Sequence, residues 1–294
     1  MIGSNTPDHI PVMPNEVLSL MDLNPNGKYV DGTCGLGGHA KIILSALSKK
    51  GFLVGLDIDN DALKICKKRL NNFSSNFHIE KKSYSELSSI LKSLEIDQVD
   101  GILLDLGLSS LQLDSQSRGF SFKESSSLDM RFDQDSRVDA ADIINKSSES
   151  EIADIIYFFG EERRSRYIAK KIFQNRPIKK VDQLVEILKK CTHPQKRNKT
   201  LARVFQSFRI AVNKELDNLS SFLEKYLDCL KVGGKIVIIS FHSLEDRIVK
   251  RSFKEGSNKG QLSIVTKKPI IASENERIIN SRSKSAKLRC AVKL

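Results

Sequence analysis

Short apolar runs bounded by glycine or aspartate recur along this chain, with amphipathic stretches between them. Residues 28–33, 52–57, 76–82, 99–107 and 235–241 have the length and make-up of buried strands. Residues 40–50, 61–71, 85–94 and 200–230 have helical periodicity. Strands separated by helices need right-handed crossovers, so a doubly wound, mainly parallel α/β sheet is expected. Ligands of such sheets lie beyond the carboxyl ends of the strands.

The alternation stops between about residues 113 and 199. A polar loop opens that stretch, and helical periodicity follows over 150–174 and 180–191. Beyond it the strand pattern resumes, with 235–241, 261–267 and 286–294 expected to close the sheet. The organisation implied is one α/β domain, residues 1–112 and 200–294, interrupted by an all-helical insertion at 113–199.

Charge is distributed unevenly. The net charge is +12; residues 161–214 hold sixteen Lys/Arg against four Asp/Glu, residues 246–294 hold thirteen against four, and the remainder carries −9. Two basic zones on an acidic body fit a polyanion lying over part of the surface. Arg163, Arg164, Arg166, Lys196, Arg197 and Lys199 in the first zone, and Arg282, Lys284, Lys287 and Arg289 in the second, are the expected phosphate contacts. A solvated helix face is the competing reading. No stretch of about 18 uninterrupted apolar residues suits a membrane span, and no apolar leader follows early basic residues, so a cytoplasmic chain is expected. Cys34, Cys66, Cys191, Cys229 and Cys290 are far apart and form no C-x-x-C pair, which argues against a disulfide framework or a zinc site. The five histidines are scattered, so no metal cluster is expected.

The stretch DGTCGLGGHA, residues 31–40, joins a strand end to a helix start. Its bare main chain turns N–H groups toward a ligand that side chains would push away. It satisfies the loose G-x-G-x-x-G/A pattern, and Asp57 follows Gly37 by 20 residues at the end of the next strand, where a ribose-binding acid belongs. No Gly-Lys-Ser/Thr closes the loop, which disfavours a P-loop. A nicotinamide dinucleotide brings two phosphates, whereas S-adenosylmethionine brings a sulfonium cation and none. Asp31, Asp57 and Asp105 all fall at one sheet edge, and acids there favour the cation. Paired glycines, Gly233 and Gly234, ahead of the apolar run at 235–241 add weight to methyl transfer over hydride transfer.

Longer blocks carry a family resemblance. His9-Ile-Pro-Val-Met-Pro-Asn-Glu16, DGTCGLGGHA, Gly101-Ile-Leu-Leu-Asp105-Leu-Gly-Leu-Ser-Ser110, Gln112-Leu-Asp114, Arg118-Gly-Phe-Ser-Phe122, Leu128-Asp-Met-Arg131, Gly160-Glu-Glu-Arg163, Phe205-Gln206, Arg209-Ile-Ala-Val-Asn213 and Ile239-Ser-Phe-His-Ser-Leu-Glu-Asp-Arg-Ile-Val249 resemble the bacterial small-subunit ribosomal RNA methyltransferase H family. With Ser285-Ala-Lys-Leu-Arg289 the resemblance spans nearly the whole chain.

The resemblance implies a Rossmann-like, S-adenosylmethionine-dependent methyltransferase sheet with an inserted helical domain that recognises substrate. It implies methylation of N4 of a cytidine in the decoding region of 16S ribosomal RNA, on the RNA or the small ribosomal subunit. Position by position, the implied cofactor contacts are Gly37, Gly38, His39, Asp57, Tyr84, Asp105 and Gln112. Leu111 stands where that family usually has proline, which loosens the expected loop around Gln112. Asp105 is followed by Leu-Gly-Leu-Ser-Ser, so no aromatic is supplied there to stack on a target base. Phe120 and Phe122, or Phe241 with His242, are the candidates for that role. No general base is assigned, because the proton can leave the amine after transfer.

Overall fold

The computed structural model describes residues 10–73, 77–115, 117–123 and 125–294. His9, and Asn76 at the start of the expected third strand, fall outside the described residues. The chain divides into two compact units, one of residues 1–109 and 216–294, the other of residues 110–215. The first segment runs α1 (Pro14–Met21), β1 (Lys28–Asp31), α2 (Gly38–Ala46), β2 (Phe52–Asp57), α3 (Asn60–Arg69), β3 (Phe77–Lys81), α4 (Leu87–Ser93) and β4 (Val99–Asp105). The second unit holds α5 (Ser110–Asp114), α6 (Ala140–Lys146), α7 (Glu149–Gly160), α8 (Ser165–Gln174), α9 (Val181–Cys191) and α10 (Arg197–Asn213). The chain ends with α11 (Glu215–Cys229), β5 (Leu230–Ser240), α12 (Ser243–Asn258), β6 (Leu262–Ile264), α13 (Glu274–Ile279) and β7 (Lys287–Lys293).

The α/β sheet expected from the alternation is present, seven strands in the order β3-β2-β1-β4-β5-β7-β6. β1 to β5 are mutually parallel, with Val30 opposite Val54 and Ile102, and Ile102 opposite Ile236. β7 runs antiparallel to both β5 and β6. Sequence order reverses between β1 and β4, so a crevice opens at their carboxyl ends. Both sheet faces are covered. Val30, Val54, Ile102 and Ile236 pack under α4 and α11, while Tyr29, Leu53, Leu103 and Val237 pack under α1, α2 and α3.

Several boundaries differ from expectation for local reasons. β5 begins at Leu230 rather than 235, and its register slips between Val99 and Gly101 because the chain bulges through Gly233 at φ 78°. The helix expected over 200–230 breaks at Lys214, at φ 50°, into α10 and α11. The one expected over 150–174 breaks into α7 and α8, because Glu161 takes φ 50° where α7 ends at Gly160. Gly160 allows a close helix crossing: a Cβ there would lie 2.7 Å from the Arg203 carbonyl oxygen of α10. The second unit accordingly includes α10 and runs to 215, where the insertion was expected to stop at 199. Its core is mainly aliphatic, with Ile144, Ile152, Ile156, Ile168 and Leu184 buried beside Phe208. The helix α12, which links β5 to β6, was not anticipated.

Candidate functional site

The loop after β1 is shaped by two left-handed glycines, Gly35 at φ 49° and Gly37 at φ 82°. Gly37 is the N-cap of α2, and no side chain caps that terminus. The first N–H groups of α2, beginning with Gly38 and His39, are therefore available to an anionic group. A side chain at Gly37 has no room, since its Cβ would lie 2.9 Å from Cys66 Sγ on α3. Cys34 and Cys66, 3.9 Å apart and buried, back the loop from behind.

Asp57 ends β2 and holds this loop against the sheet. Its Oδ2 accepts from the Gly35 N–H at 2.8 Å and its Oδ1 from the Asp59 N–H at 2.8 Å. Burial raises its pKa to about 6 against the pull of those N–H groups. Each oxygen keeps a lone pair, as a carboxylate must to accept from hydroxyls.

Asp31 and Asp105 end the neighbouring strands β1 and β4, with Asp31 opposite Leu103 and Asp105 two residues further on. The Asp105 N–H donates to Thr33 Oγ1 at 2.6 Å, and its Oδ2 lies 3.6 Å from His39 Nε2. Burial pushes Asp31 up to about 7, with the His39 charge opposing. Burial alone would lower the His39 pKa, but the Asp105 and Asp31 carboxylates outweigh it and leave it raised. Asp31 Oδ2, His39 Nε2 and Asp105 Oδ1 are buried without a hydrogen-bond partner among the described residues. Buried polar atoms without partners are rare, and three at one crevice mark the place of a ligand. Acids on adjoining strand ends repel a pyrophosphate and attract a cation.

Tyr84 follows β3 in a short 3-10 turn. Its ring meets Phe222 edge-on at 5.6 Å and is only partly buried, so it can cover a planar group. Six of the seven expected cofactor contacts, Gly37, Gly38, His39, Asp57, Tyr84 and Asp105, thus belong to the sheet-bearing unit. Gln112 is buried on α5 in the other unit.

Of the aromatics considered for a target base, Phe120 is buried and stacked on Phe132, and Phe122 meets Phe205 edge-on. Phe241 follows β5 and lies over Gly107, where a Cβ would be 3.2 Å from its ring. His242 caps α12, its Nδ1 accepting from the Glu245 N–H at 3.4 Å.

The chain matches the MraW methylase family over residues 6–294. It belongs to the MraW methylase family. Among relatives of this MraW-family chain, the ribosomal RNA small subunit methyltransferase H of Kosmotoga olearia is 46% identical over 291 residues, covering 97% of each chain. That of Thermosipho africanus is 44% identical over 290 residues, covering 97% of this chain and 98% of the other. A solved rRNA methylase from Streptococcus thermophilus has a TM-score of 0.46 and 12% identity, covering 96% of this chain and 93% of that one. No helix among the described residues is long and apolar enough to cross a membrane.

Two contributors went unread in the sequence of this MraW-family chain. Thr33 anchors Asp105. Glu276, far away on α13, accepts from the Met13 N–H at 2.7 Å and adds to the charge that raises His39. A hydroxyl two residues past a strand-ending acid was the only local signal for Thr33. Glu276 had none, because only the closed sheet brings it near residue 39.

Proposed function

We propose that this chain transfers a methyl group from S-adenosylmethionine to N4 of a cytidine in the decoding region of 16S ribosomal RNA, on the RNA or the small subunit, in the cytoplasm. The observation that carries the cofactor is the crevice ringed by Asp31, Asp57 and Asp105 around bare main chain, with three buried polar atoms lacking partners. S-adenosylmethionine supplies an electrophilic methyl group on a sulfonium.

The chain's residues hold and orient. Asp57 accepts from ribose hydroxyls, Tyr84 covers the adenine, Gly37, Gly38 and His39 receive the methionine end, and Asp105 completes the hold within the sheet-bearing unit. Asp31 and Asp105 lend negative potential to the crevice. Alignment is the main contribution to rate, because the cytosine amine is conjugated into its ring and must pyramidalise as it attacks; well-oriented systems gain about 7–11 kcal/mol this way. Phe122 and Phe241 with His242 are the candidates to cover the base, since both rings are only partly buried whereas Phe120 is buried and stacked on Phe132. The N4 proton leaves to solvent after transfer.

The small-subunit RNA is supported by the relatives' name, and the cytidine by the resemblance that the motif blocks carry. Labelled S-adenosylmethionine incubated with 16S RNA and with small subunits, followed by nucleoside mass analysis, tests it. N4-methylcytidine in the decoding region is expected; a methyl on another nucleoside, or none, removes the proposal. A nicotinamide oxidoreductase is the competing reading, and calorimetry giving heat with NAD but not with S-adenosylmethionine would favour it.

A further inference from the structure

The outward face of α8 carries charge of one sign. Between residues 163 and 181 the chain has eight Lys/Arg and no Asp/Glu. Ser165, Ile168, Ala169 and Ile172 turn inward, which leaves the opposite arc of the helix to Arg166, Tyr167, Lys170, Lys171 and Phe173. The nearest acid upstream, Glu162, is buried and accepts from Thr200 Oγ1 at 3.3 Å.

Two aromatic rings stand in this cationic field. Tyr167 is 44% exposed and Phe173 45% exposed. Each is braced by a cation: Arg164 Cζ sits 5.1 Å from the Tyr167 ring centre and Arg176 Cζ 4.6 Å from that of Phe173. Lys171 Nζ lies 5.9 Å from the Tyr167 ring. A guanidinium over one part of a ring fixes its orientation, and the rest of each ring stays open to water, so the ring is preorganised at an aqueous surface. Exposed rings alone would suit an apolar protein partner, but unrelieved positive charge selects a polyanion. A duplex offers phosphates and no bare base faces, whereas an unpaired strand offers both.

We infer that the outward face of α8 is a docking platform for unpaired RNA, on which Tyr167 and Phe173 stack bases while Arg164, Arg166, Lys170 and Lys171 hold the adjoining phosphates. The platform rests on the reading that the substrate is RNA and adds to it the single-stranded character of the segment held by α8.

Fluorescence anisotropy of the full chain with a labelled 15-nucleotide oligouridine, and with a 15-base-pair RNA duplex, tests this. Tyr167→Leu with Phe173→Leu is expected to weaken oligouridine binding about tenfold or more and to change duplex binding less than about twofold. Arg164→Gln with Lys170→Gln and Lys171→Gln should weaken both probes and flatten the dependence of log affinity on log salt by about two for the single strand. Unchanged far-ultraviolet circular dichroism and an unchanged melting temperature show that each variant is folded. Oligouridine binding unaltered by the Leu pair overturns the platform, and so does a shift in oligomeric state without a change in RNA affinity. Loss of methyl transfer onto small-subunit RNA by the parent chain would instead sink the substrate reading, so the two failures are distinguishable.

Discussion

His39 Nε2 lies 3.6 Å from Asp105 Oδ2, joining the first turn of α2 to the end of β4 across the point where strand order reverses. The pair is charged when His39 is protonated, and its pKa is raised in the fold. Stability from such a histidine is fully present below the unfolded value of about 6.5 and is lost as pH rises through the folded value. His39→Gln should therefore lower the melting temperature more at pH 6 than at pH 9. Equal losses at both would show that the pair is not electrostatic.

Asp31 shifts in the same direction as His39, but through burial of an acid and not through an ion pair. Its folded pKa of about 7 exceeds the unfolded carboxylate value, so the fold binds the extra proton and loses stability as pH climbs from about 4 through 7. Asp31→Asn should stabilise the protein at pH 8 by up to a few kcal/mol, at about 1.4 kcal/mol per tenfold change in proton affinity, and hardly at all at pH 4. Affinity for S-adenosylmethionine at pH 8 should fall with the same substitution. Thermal unfolding and calorimetry at both pH values read the two effects, and a variant no more stable than the parent at pH 8 would refute the buried-acid account.

Asp57 binds both the loop and, by proposal, the ribose. Asp57→Ala strands the N–H groups of Gly35 and Asp59. Hydrogen bonds to a charged acceptor contribute about 1.5–3 kcal/mol each, so a loss of affinity for S-adenosylmethionine of about a hundredfold or more is expected by calorimetry. A change under about fivefold would place the ribose elsewhere.

Gly37→Ala combines backbone strain at φ 82° with a Cβ 2.9 Å from Cys66 Sγ. Left-handed backbone costs alanine about 1–2 kcal/mol and overpacking about 1–3 more. A melting temperature lower by roughly 5–15 °C is expected for a chain of this size. Adding Cys66→Ala should recover part of it, because that relieves the clash and not the backbone. No recovery would mean that the strain is wholly in the main chain.

In the second unit, the Asn213 side chain ties a loop to α10: Nδ2 donates to the Met130 carbonyl at 2.7 Å and Oδ1 accepts from the Phe132 N–H at 2.7 Å. Asn213→Ala should destabilise by about 1–3 kcal/mol for these orphaned groups. Faster hydrogen exchange at the Phe132 amide would report the freed loop, and unchanged exchange would show that other contacts hold it.

Local rules carried far along this chain. The sheet was legible because buried parallel strands need unbroken apolar runs, and the glycine loop because φ 82° at Gly37, with Cys66 Sγ 2.9 Å from where a Cβ would stand, favours glycine. Asp57 and Asp105 were legible because strand-terminal acids stand out against apolar runs. The breaks at Glu161 and Lys214 were not, since ordinary residues adopt left-handed backbone there under the packing of α7 on α10 and the hold of Asn213. Sequence alone thus determined which side chains stand at strand ends, a matter of neighbours along one chain. Which of them share charge was decided only in three dimensions: Glu276 reaches Met13 and acts on His39 because sheet closure brings residues 263 positions apart within 2.7 Å, and electrostatic coupling depends on distance in space.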